Sequence, residues 1–167
     1  MSDTVDPQWV ERALVEYECR LLRYAQRFVG RDRAADVVQE TFLKLCRETA
    51  PAVNGSLAPW LYTVCRNVAL DLLRKESRMT ATLEIQVSQP ARESPDSTAE
   101  VRDGAGRILQ ELATLSPNQQ ECVRLKFQDG MSYAEIASIT GLSVSNVGFQ
   151  LHAALKALRE RLGKESF

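Results

Sequence analysis

Apolar residues recur every three or four positions along the first 77 residues, the spacing of amphipathic helices. The first stripe follows Asp6 and Pro7, a predicted cap and first-turn proline, and Gly30 ends it. Its apolar residues are Val10, Leu14, Tyr17, Leu21, Tyr24, Ala25 and Phe28. Two further stripes follow before residue 78, so this part of the chain is predicted to form a compact three-helix bundle.

The second and third stripes each leave a polar face uncovered. The second is predicted to begin at a cap on Asp32 and to bury Ala35, Val38, Phe42 and Leu45. Its opposite side carries Asp36, Gln39, Glu40, Leu43 and Arg47. The third runs from about Ser56 to about Ser77, and its core stripe is Leu57, Leu61, Val64, Cys65, Val68 and Leu72. Another face of the third helix carries Asn67, Asp71, Arg74 and Arg78.

The pattern changes at Arg78, where proline, serine and threonine replace large apolar residues. Residues 79–104 have too little apolar surface to offset the entropy of ordering, so a flexible linker is predicted there. A helix is predicted from about Gly106 to Leu115, and another follows Ser116 and Pro117 and carries Cys122, Val123, Leu125 and Phe127. The predicted fold class is all-α, with two small helical domains at 1–78 and 105–167 joined by the linker.

The stretch from Ser132 to Leu162 has the order of residues expected of a helix-turn-helix. Ser132 and Glu135 are spaced as a capping box, and Gly141 is able to adopt the left-handed conformation that ends a short helix. Ser143 then caps a second helix with apolar residues Val144, Val147, Leu151, Ala154, Leu155 and Leu158. Because such a motif places its second helix in the DNA major groove, the pattern favours DNA binding over an ordinary helical hairpin.

Charge and composition narrow this interpretation. The net charge is −1, and neither helical region carries a basic surplus: residues 1–77 hold 11 basic and 11 acidic groups, and residues 105–167 hold 7 and 6. Affinity for phosphates must therefore come from local clusters or from a partner protein. Charges interrupt every apolar stretch and the N-terminus has no apolar signal core, so neither membrane insertion nor secretion is expected and the chain is placed in the cytoplasm.

The residues that usually carry chemistry are sparse. The cysteines, Cys19, Cys46, Cys65 and Cys122, are widely separated and are expected to be buried free thiols. With one histidine and no paired cysteines, neither a metal site nor a disulfide framework is predicted. No cofactor is expected, and no nucleophile motif favours an enzyme.

Two segments carry a resemblance to one family. The first comprises DRAADVVQETFLKL and APWLYTVCRNVALDLLRKESR, and the second is LSPNQQECVRLKFQDGMSYAEIASITGLSVSNVGFQLHAALKALRERL. They resemble the second and fourth conserved regions of a bacterial sigma-70 family factor. Since no domain lies between them, the chain is similar to the extracytoplasmic-function (group 4) class.

The resemblance implies a set of roles. The face formed by Asp36, Gln39, Glu40 and Leu43 would dock on the clamp helices of the largest subunit of core RNA polymerase. Melted −10 promoter DNA would meet Asn54, Gly55, Ser56, Asn67, Asp71, Arg74 and Lys75. Trp60 is expected to lie in the core, whereas Tyr62 and Arg66 are expected to be partly exposed.

Duplex −35 DNA would meet Ser143, Ser145, Asn146, Phe149, Gln150, His152 and Lys156. Asn and Gln side chains can pair with adenine, and Phe149 can lie on thymine methyl groups. The chain departs from the family, whose members usually carry Lys or Arg at several positions occupied here by Gly148, Gln150, Ala153, Leu155 and Ala157. Weak −35 binding by the isolated domain is therefore expected. An anti-sigma factor is the further implied partner.

Two other functions remain open from the sequence. A stand-alone helix-turn-helix regulator would bind duplex DNA tightly without polymerase, but it leaves the first 77 residues unexplained. A regulator that only sequesters polymerase would bind the core enzyme and start no transcripts, which the missing basic residues keep possible.

Overall fold

The computed structural model describes residues 6–48, 56–83 and 103–163. The chain divides into two compact units, Met1–Arg92 and Glu93–Phe167. Across the described ranges every regular element is helical, which confirms the all-α prediction. Most of the predicted linker, together with Asn54 and Gly55, lies outside the described residues.

The described residues of the N-terminal unit form three helices: α1 (Pro7–Val29), α2 (Arg31–Arg47) and α3 (Leu57–Leu83). The predicted cap of α1 is confirmed, because the Asp6 side chain accepts the Gln8 backbone N–H at 3.0 Å. Gly30, with φ 78°, ends α1 and also stands at the N-cap of α2. The prediction that Asp32 caps α2 is therefore wrong. Since the chain reverses within a single glycine, Asp32 already lies in the first turn.

Two tyrosines in contact lie at the centre of the core of this unit, with their ring planes tilted by 55°. The rings of Tyr24 and Tyr62 lie 5.0 Å apart, and both side chains are almost wholly buried. The prediction that Tyr62 is partly exposed is therefore wrong, because Tyr24 covers its ring. The other fully buried large residues of the unit are Leu21, Val37, Thr41, Leu45, Leu61 and Cys65. In α2 the buried alanine is Ala34, whereas Ala35, predicted to be buried, is exposed.

The third helix is longer than predicted. It does not end near Ser77 but continues to Leu83, into the predicted linker. No glycine or proline interrupts residues 77–83, so no local signal stops the helix. The Thr80 hydroxyl donates to the Glu76 carbonyl at 2.9 Å, and Glu76 also forms an ion pair with Arg33 of α2.

The C-terminal unit contains shorter elements: α4 (Asp103–Ala113), α5 (Pro117–Val123), a π-helical turn (Arg124–Gln128), α6 (Tyr133–Thr140) and α7 (Val144–Gly163). The first of these begins at Asp103 rather than near Gly106. Ser116 and Gln119 form a capping box at the start of α5, which confirms the predicted cap. The π turn was not predicted; in it the Asp129 N–H donates to the Arg124 carbonyl at 3.2 Å.

The core of the C-terminal unit includes Leu115, Cys122, Val123, Leu125, Met131, Ile136, Ile139, Val147, Leu151, Ala154 and Leu158. Three apolar residues of this unit that were assigned to helices instead face solvent: Phe127 is 62% exposed, Val144 51% and Leu155 38%. Leu14 of α1, which was predicted to belong to the first apolar stripe, is likewise 38% exposed. A short apolar stripe covers only part of a helix circumference, so residues at its edges lose contact with the core.

The four cysteines are free but differ in burial. Cys65 and Cys122 are buried as predicted, whereas Cys19 and Cys46 are exposed, contrary to the prediction. Both exposed cysteines lie on outward faces of their helices, where an apolar residue type alone does not ensure burial. No helix in the described part of the chain is long and apolar enough to cross a membrane.

Candidate protein- and nucleic-acid-binding surfaces

The outer side of α2 presents the four residues predicted to bind a protein. Asp36 and Gln39 are exposed, Glu40 is half-buried, and Leu43 is 45% exposed. Spacings of three, one and three residues place them on one side of the helix within two turns. We call Asp36, Gln39, Glu40 and Leu43 the α2 surface.

The α2 surface is an apolar spot beside two carboxylates. Among the described residues neither Asp36 nor Glu40 forms an ion pair, so both charges are available to a partner. Leu43 has no role in the core, since Phe42 and Leu45 provide the buried contacts of that turn. The arrangement suits a partner helix that offers cationic and amide groups around an apolar contact.

The outer face of α3 presents a second group of predicted residues. Asn67, Asp71, Arg74 and Lys75 are all exposed. Arg74 Nη1 lies 3.2 Å from Asp71 Oδ1, so part of the positive charge on this face is neutralised within the helix. With the uncharged Asn67 and the positively charged Lys75, this face of α3 is polar and carries a small net positive charge.

The residues near the start of α3 were predicted to belong either to the −10 DNA-binding site or to the core. Ser56 is exposed, while Asn54 and Gly55 lie outside the described residues. Trp60 was expected in the core and is half-buried. Arg66 lies with its guanidinium carbon 5.9 Å from the centre of the Phe28 ring, so it packs along the edge of the core.

The helix-turn-helix has the predicted geometry. The Ser132 hydroxyl accepts the Glu135 N–H at 3.2 Å, and the Glu135 carboxylate accepts the Ser132 N–H at 2.8 Å. Gly141 ends α6 in the left-handed conformation with φ 78° and ψ 4°. The Ser143 hydroxyl then accepts the Asn146 N–H at 3.1 Å, and Val147 is fully buried. The local prediction of cap, turn and packing residue is confirmed.

One side of α7 is exposed along three turns. It carries Ser145, Phe149, His152 and Lys156, at spacings of four, three and four residues, and all four side chains are exposed. We call these residues the α7 surface. The buried residues Val147, Leu151 and Ala154 lie on the opposite side of the helix.

The predicted DNA-binding residues do not all belong to the α7 surface. Ser143 is exposed at the start of the helix, whereas Asn146 and Gln150 are half-buried on its flank. Gln150 Nε2 donates to Asn146 Oδ1 at 3.2 Å, so the two amides satisfy each other in part. The exposed side of the helix is therefore centred on Phe149, which is 67% exposed.

Tertiary contacts that the sequence did not indicate surround α7. Lys126 Nζ lies 5.5 Å from the centre of the Tyr133 ring, and Tyr133 in turn covers Gly148. Arg161 lies 3.7 Å from Glu111 and also donates to the Thr114 hydroxyl, which ties the end of α7 to α4. Helical periodicity carries no signal for such contacts, because each joins residues from different elements.

The buried thiols are poorly suited to nucleophilic chemistry. Desolvation raises the pKa of Cys65 to about 12 and that of Cys122 to about 11. Both thiols therefore remain protonated near neutral pH. Burial also lowers the pKa of Arg124, whose buried Nε has no hydrogen-bond partner within the described residues. No group of three or more potential metal ligands occurs in the described ranges.

Comparison with known proteins accounts for both units. The family model for sigma-70 region 2 matches residues 14–79, and that for sigma-70 region 4 matches residues 105–158. The ECF RNA polymerase sigma factor SigL of Mycobacterium tuberculosis is 35% identical over 152 residues, an alignment that covers 86% of this chain and 83% of SigL. The chain belongs to the ECF RNA polymerase sigma factors.

Other relatives of this sigma factor support the same family assignment. The RNA polymerase sigma factor CarQ of Myxococcus xanthus is 32% identical over 135 residues, covering 78% of this chain and 75% of CarQ. The ECF sigma factor SigE of Mycolicibacterium smegmatis is 32% identical over 165 residues; the alignment covers 96% of this chain but only 63% of SigE.

Solved structures share the fold. RpoE of Bartonella quintana, solved with the anti-sigma factor NepR, matches with a TM-score of 0.64 at 24% identity, covering 93% of this chain and 97% of RpoE. CnrH, solved with the cytosolic domain of CnrY, matches with a TM-score of 0.62 at 23% identity, covering 98% and 94% of the two chains. The family assignment makes the chain an alternative sigma factor that directs transcription initiation.

Proposed function

We propose that this sigma factor binds core RNA polymerase through the α2 surface, captures melted −10 DNA on the outer face of α3, and reads duplex −35 DNA with α7. The observation that carries the proposal is that each predicted binding residue within the described ranges is at least partly solvent-accessible, on the unit that matches the corresponding sigma region. Every step is binding, so the protein needs no cofactor and no catalytic group of its own.

The polymerase contact rests on the composition of the α2 surface. Leu43 supplies an apolar contact, while Asp36 and Glu40 supply charges that attract Arg or Lys. The clamp helices of the largest polymerase subunit are the partner we assign to it. A cationic helix lying along α2 would bury Leu43 and pair with both carboxylates at once.

Capture of the −10 strand rests on the outer face of α3. Asn67 offers donors and an acceptor to a base edge, and Lys75 and Arg74 offer positive charge to the phosphates. Asp71 limits that charge through its pair with Arg74, so single-stranded DNA binds weakly here without polymerase. The resemblance also implies that one base of the melted strand flips out into a pocket formed before α3, and we assign Asn54, Gly55 and Ser56 to that pocket.

Weak separate sites become effective when one enzyme holds them together. Core polymerase fixes the positions of both DNA-binding surfaces, so the second promoter contact forms at high effective concentration. The net charge of −1 fits this arrangement, because the phosphate grip need not come from this chain alone.

An anti-sigma factor is the regulator we propose. RpoE was solved with the anti-sigma factor NepR, and CnrH with the cytosolic domain of CnrY. Exposed apolar side chains occur on both units of this chain, among them Leu43 and Phe149. An inhibitor covering either one would block a surface needed for initiation. Since polymerase is the partner, the cytoplasm is the compartment where the protein acts.

The test is the affinity of the full chain for purified core polymerase. We expect the double charge reversal Asp36→Lys with Glu40→Lys to weaken binding by about 100-fold or more, because like charges then face the cationic partner. The matched control reverses two exposed carboxylates of α1, Glu11→Lys with Glu18→Lys, and keeps wild-type affinity. Equal affinities for the two double variants would refute the α2 assignment.

A further inference from the structure

Phe149 is a large apolar side chain at the centre of the α7 surface. It is 67% exposed, and no aromatic ring or cation within the described residues stacks on it. Ser145 precedes it by one turn and His152 follows it by one turn, both exposed. The core does not use this ring, since Val147 and Leu151 supply the buried contacts on the opposite side.

Hydrogen-bonded base readout has few groups left on this helix. No Arg or Lys occurs between Ser143 and Leu155, so the commonest specific contact, Arg or Lys with guanine, is absent from the first three turns. The amides of Asn146 and Gln150 are half-buried and joined at 3.2 Å. Ser145 remains exposed, but a hydroxyl accepts and donates and therefore discriminates poorly between bases.

We propose that Phe149 is the main specificity-determining residue for the −35 element, and that it acts by van der Waals contact with thymine C5-methyl groups. The proposal rests on the proposed function, in which α7 enters the major groove. Thymine is the base that presents a methyl group there, so an apolar ring selects it without a hydrogen bond.

The charged end of the α7 surface positions the ring. Lys156 lies two turns beyond Phe149 on the same side of the helix and is exposed. Its ammonium group contacts a phosphate, which fixes how deeply the N-terminal half of α7 enters the groove. Lys156 therefore contributes affinity for every sequence, whereas Phe149 contributes the preference among sequences.

The experiment removes the methyl group from the DNA. Holoenzyme assembled from the full chain and core polymerase first selects its sites from a promoter library randomised upstream of the −10 region. Each selected thymine is then replaced by deoxyuridine, which keeps base pairing and loses only the methyl. We expect about a fourfold loss of affinity at one or two positions, the effect of leaving one methyl unburied.

Matched variants identify the protein side of the contact. Holoenzyme with Phe149→Ala should show no further loss on deoxyuridine substitution. Phe127→Ala, which removes a similarly exposed ring outside α7, should keep the full loss. Lys156→Ala should weaken all sequences alike and lower the salt dependence by about one charge.

The failing outcomes are distinguishable. In one failing outcome, the holoenzyme selects an upstream element but deoxyuridine does not weaken binding, or weakens it equally in wild type and Phe149→Ala. That result overturns the role of Phe149, while the assignment of α7 to the −35 element stands. Selection of no upstream element at all overturns both the assignment of α7 to −35 DNA and this inference.

Discussion

Leu43 and Phe149 occupy equivalent places on two helices to which we assign different partners. Each stands exposed in the middle of a polar helix face, Leu43 by 45% and Phe149 by 67%. Two carboxylates, from Asp36 and Glu40, precede Leu43 on its side of α2, and one cation, Arg47, follows it. On the same side of α7, His152 and Lys156 follow Phe149, and the first carboxylate, Glu160, lies about three turns beyond it.

We infer that the charges nearest to the apolar residue, rather than that residue itself, separate the two surfaces. An apolar residue preceded by two carboxylates suits a cationic protein helix, whereas one followed by a lysine with no carboxylate within two turns suits a phosphate backbone. The net charge of −1 hides this division, because it averages opposite local fields.

Truncating Leu43, the apolar residue of the α2 surface, should give the largest effect. We expect Leu43→Ala to weaken binding to core polymerase by about 2 kcal/mol, roughly 30-fold, as for a central interface residue. The base preference of the holoenzyme that still forms should not change. Competition binding with labelled core polymerase measures the loss.

The control for that variant is Leu14→Ala on α1, which removes a leucine exposed to a similar extent, 38%. It should leave core affinity as it is. If Leu14→Ala and Leu43→Ala weaken binding equally, the effect comes from general destabilisation and the comparison fails. A changed base preference in Leu43→Ala would equally contradict the separation of the two surfaces.

Each unit contains one buried cysteine, Cys65 or Cys122, whose rate of reaction measures how often that unit opens. Ser132→Ala removes the hydroxyl that caps α6, which should cost the C-terminal unit about 1 kcal/mol. Buried Cys122 should then react with a thiol reagent about fivefold faster. Cys65, in the N-terminal unit, should react at its wild-type rate.

This readout depends on opening of the fold, because burial raises the pKa of Cys65 to about 12 and that of Cys122 to about 11. Each thiol is almost wholly protonated in the native unit near pH 8 and becomes reactive when the unit opens. Exposed Cys19 and Cys46 react first and serve as internal standards. Faster labelling of both buried cysteines in Ser132→Ala would show that the units unfold together.

A smaller effect distinguishes two glycines of the C-terminal unit. Gly148→Ala should stabilise it by up to about 1 kcal/mol, since alanine favours the helix and the added Cβ would lie 3.6 Å from the Tyr133 ring, an ordinary contact. Gly141→Ala should destabilise the unit by about 1 kcal/mol, because φ is 78° there. Thermal unfolding measures both changes, and equal shifts would contradict the account.

Local features were predictable from the sequence. The caps at Asp6, Ser116 and Ser132 and the turn at Gly141 depend on residues within four positions of one another, so short motifs encode them. The resemblance added the division into two sigma regions, which the family comparison confirms. The binding roles assigned to individual side chains stay predictions.

Features decided by contacts between elements were not predictable. Helical periodicity does not separate Ala34 from Ala35, because adjacent positions differ by only 100° and the packing of α2 decides which one is buried. Tyr62 is buried because Tyr24 covers it. The pairing of Arg161 with Glu111 joins residues 50 positions apart, and no local pattern records it.

We infer that both surfaces serve one reaction, promoter-specific initiation by core polymerase. Run-off transcription with purified core enzyme and a genomic promoter library, followed by sequencing of the 5′ ends, tests it most directly. The account predicts discrete start sites that share two upstream elements and that disappear with the Asp36→Lys, Glu40→Lys variant. Core binding without such transcripts would make the protein a sequestering regulator, and duplex binding without core binding would make it a stand-alone helix-turn-helix regulator; either result contradicts the account.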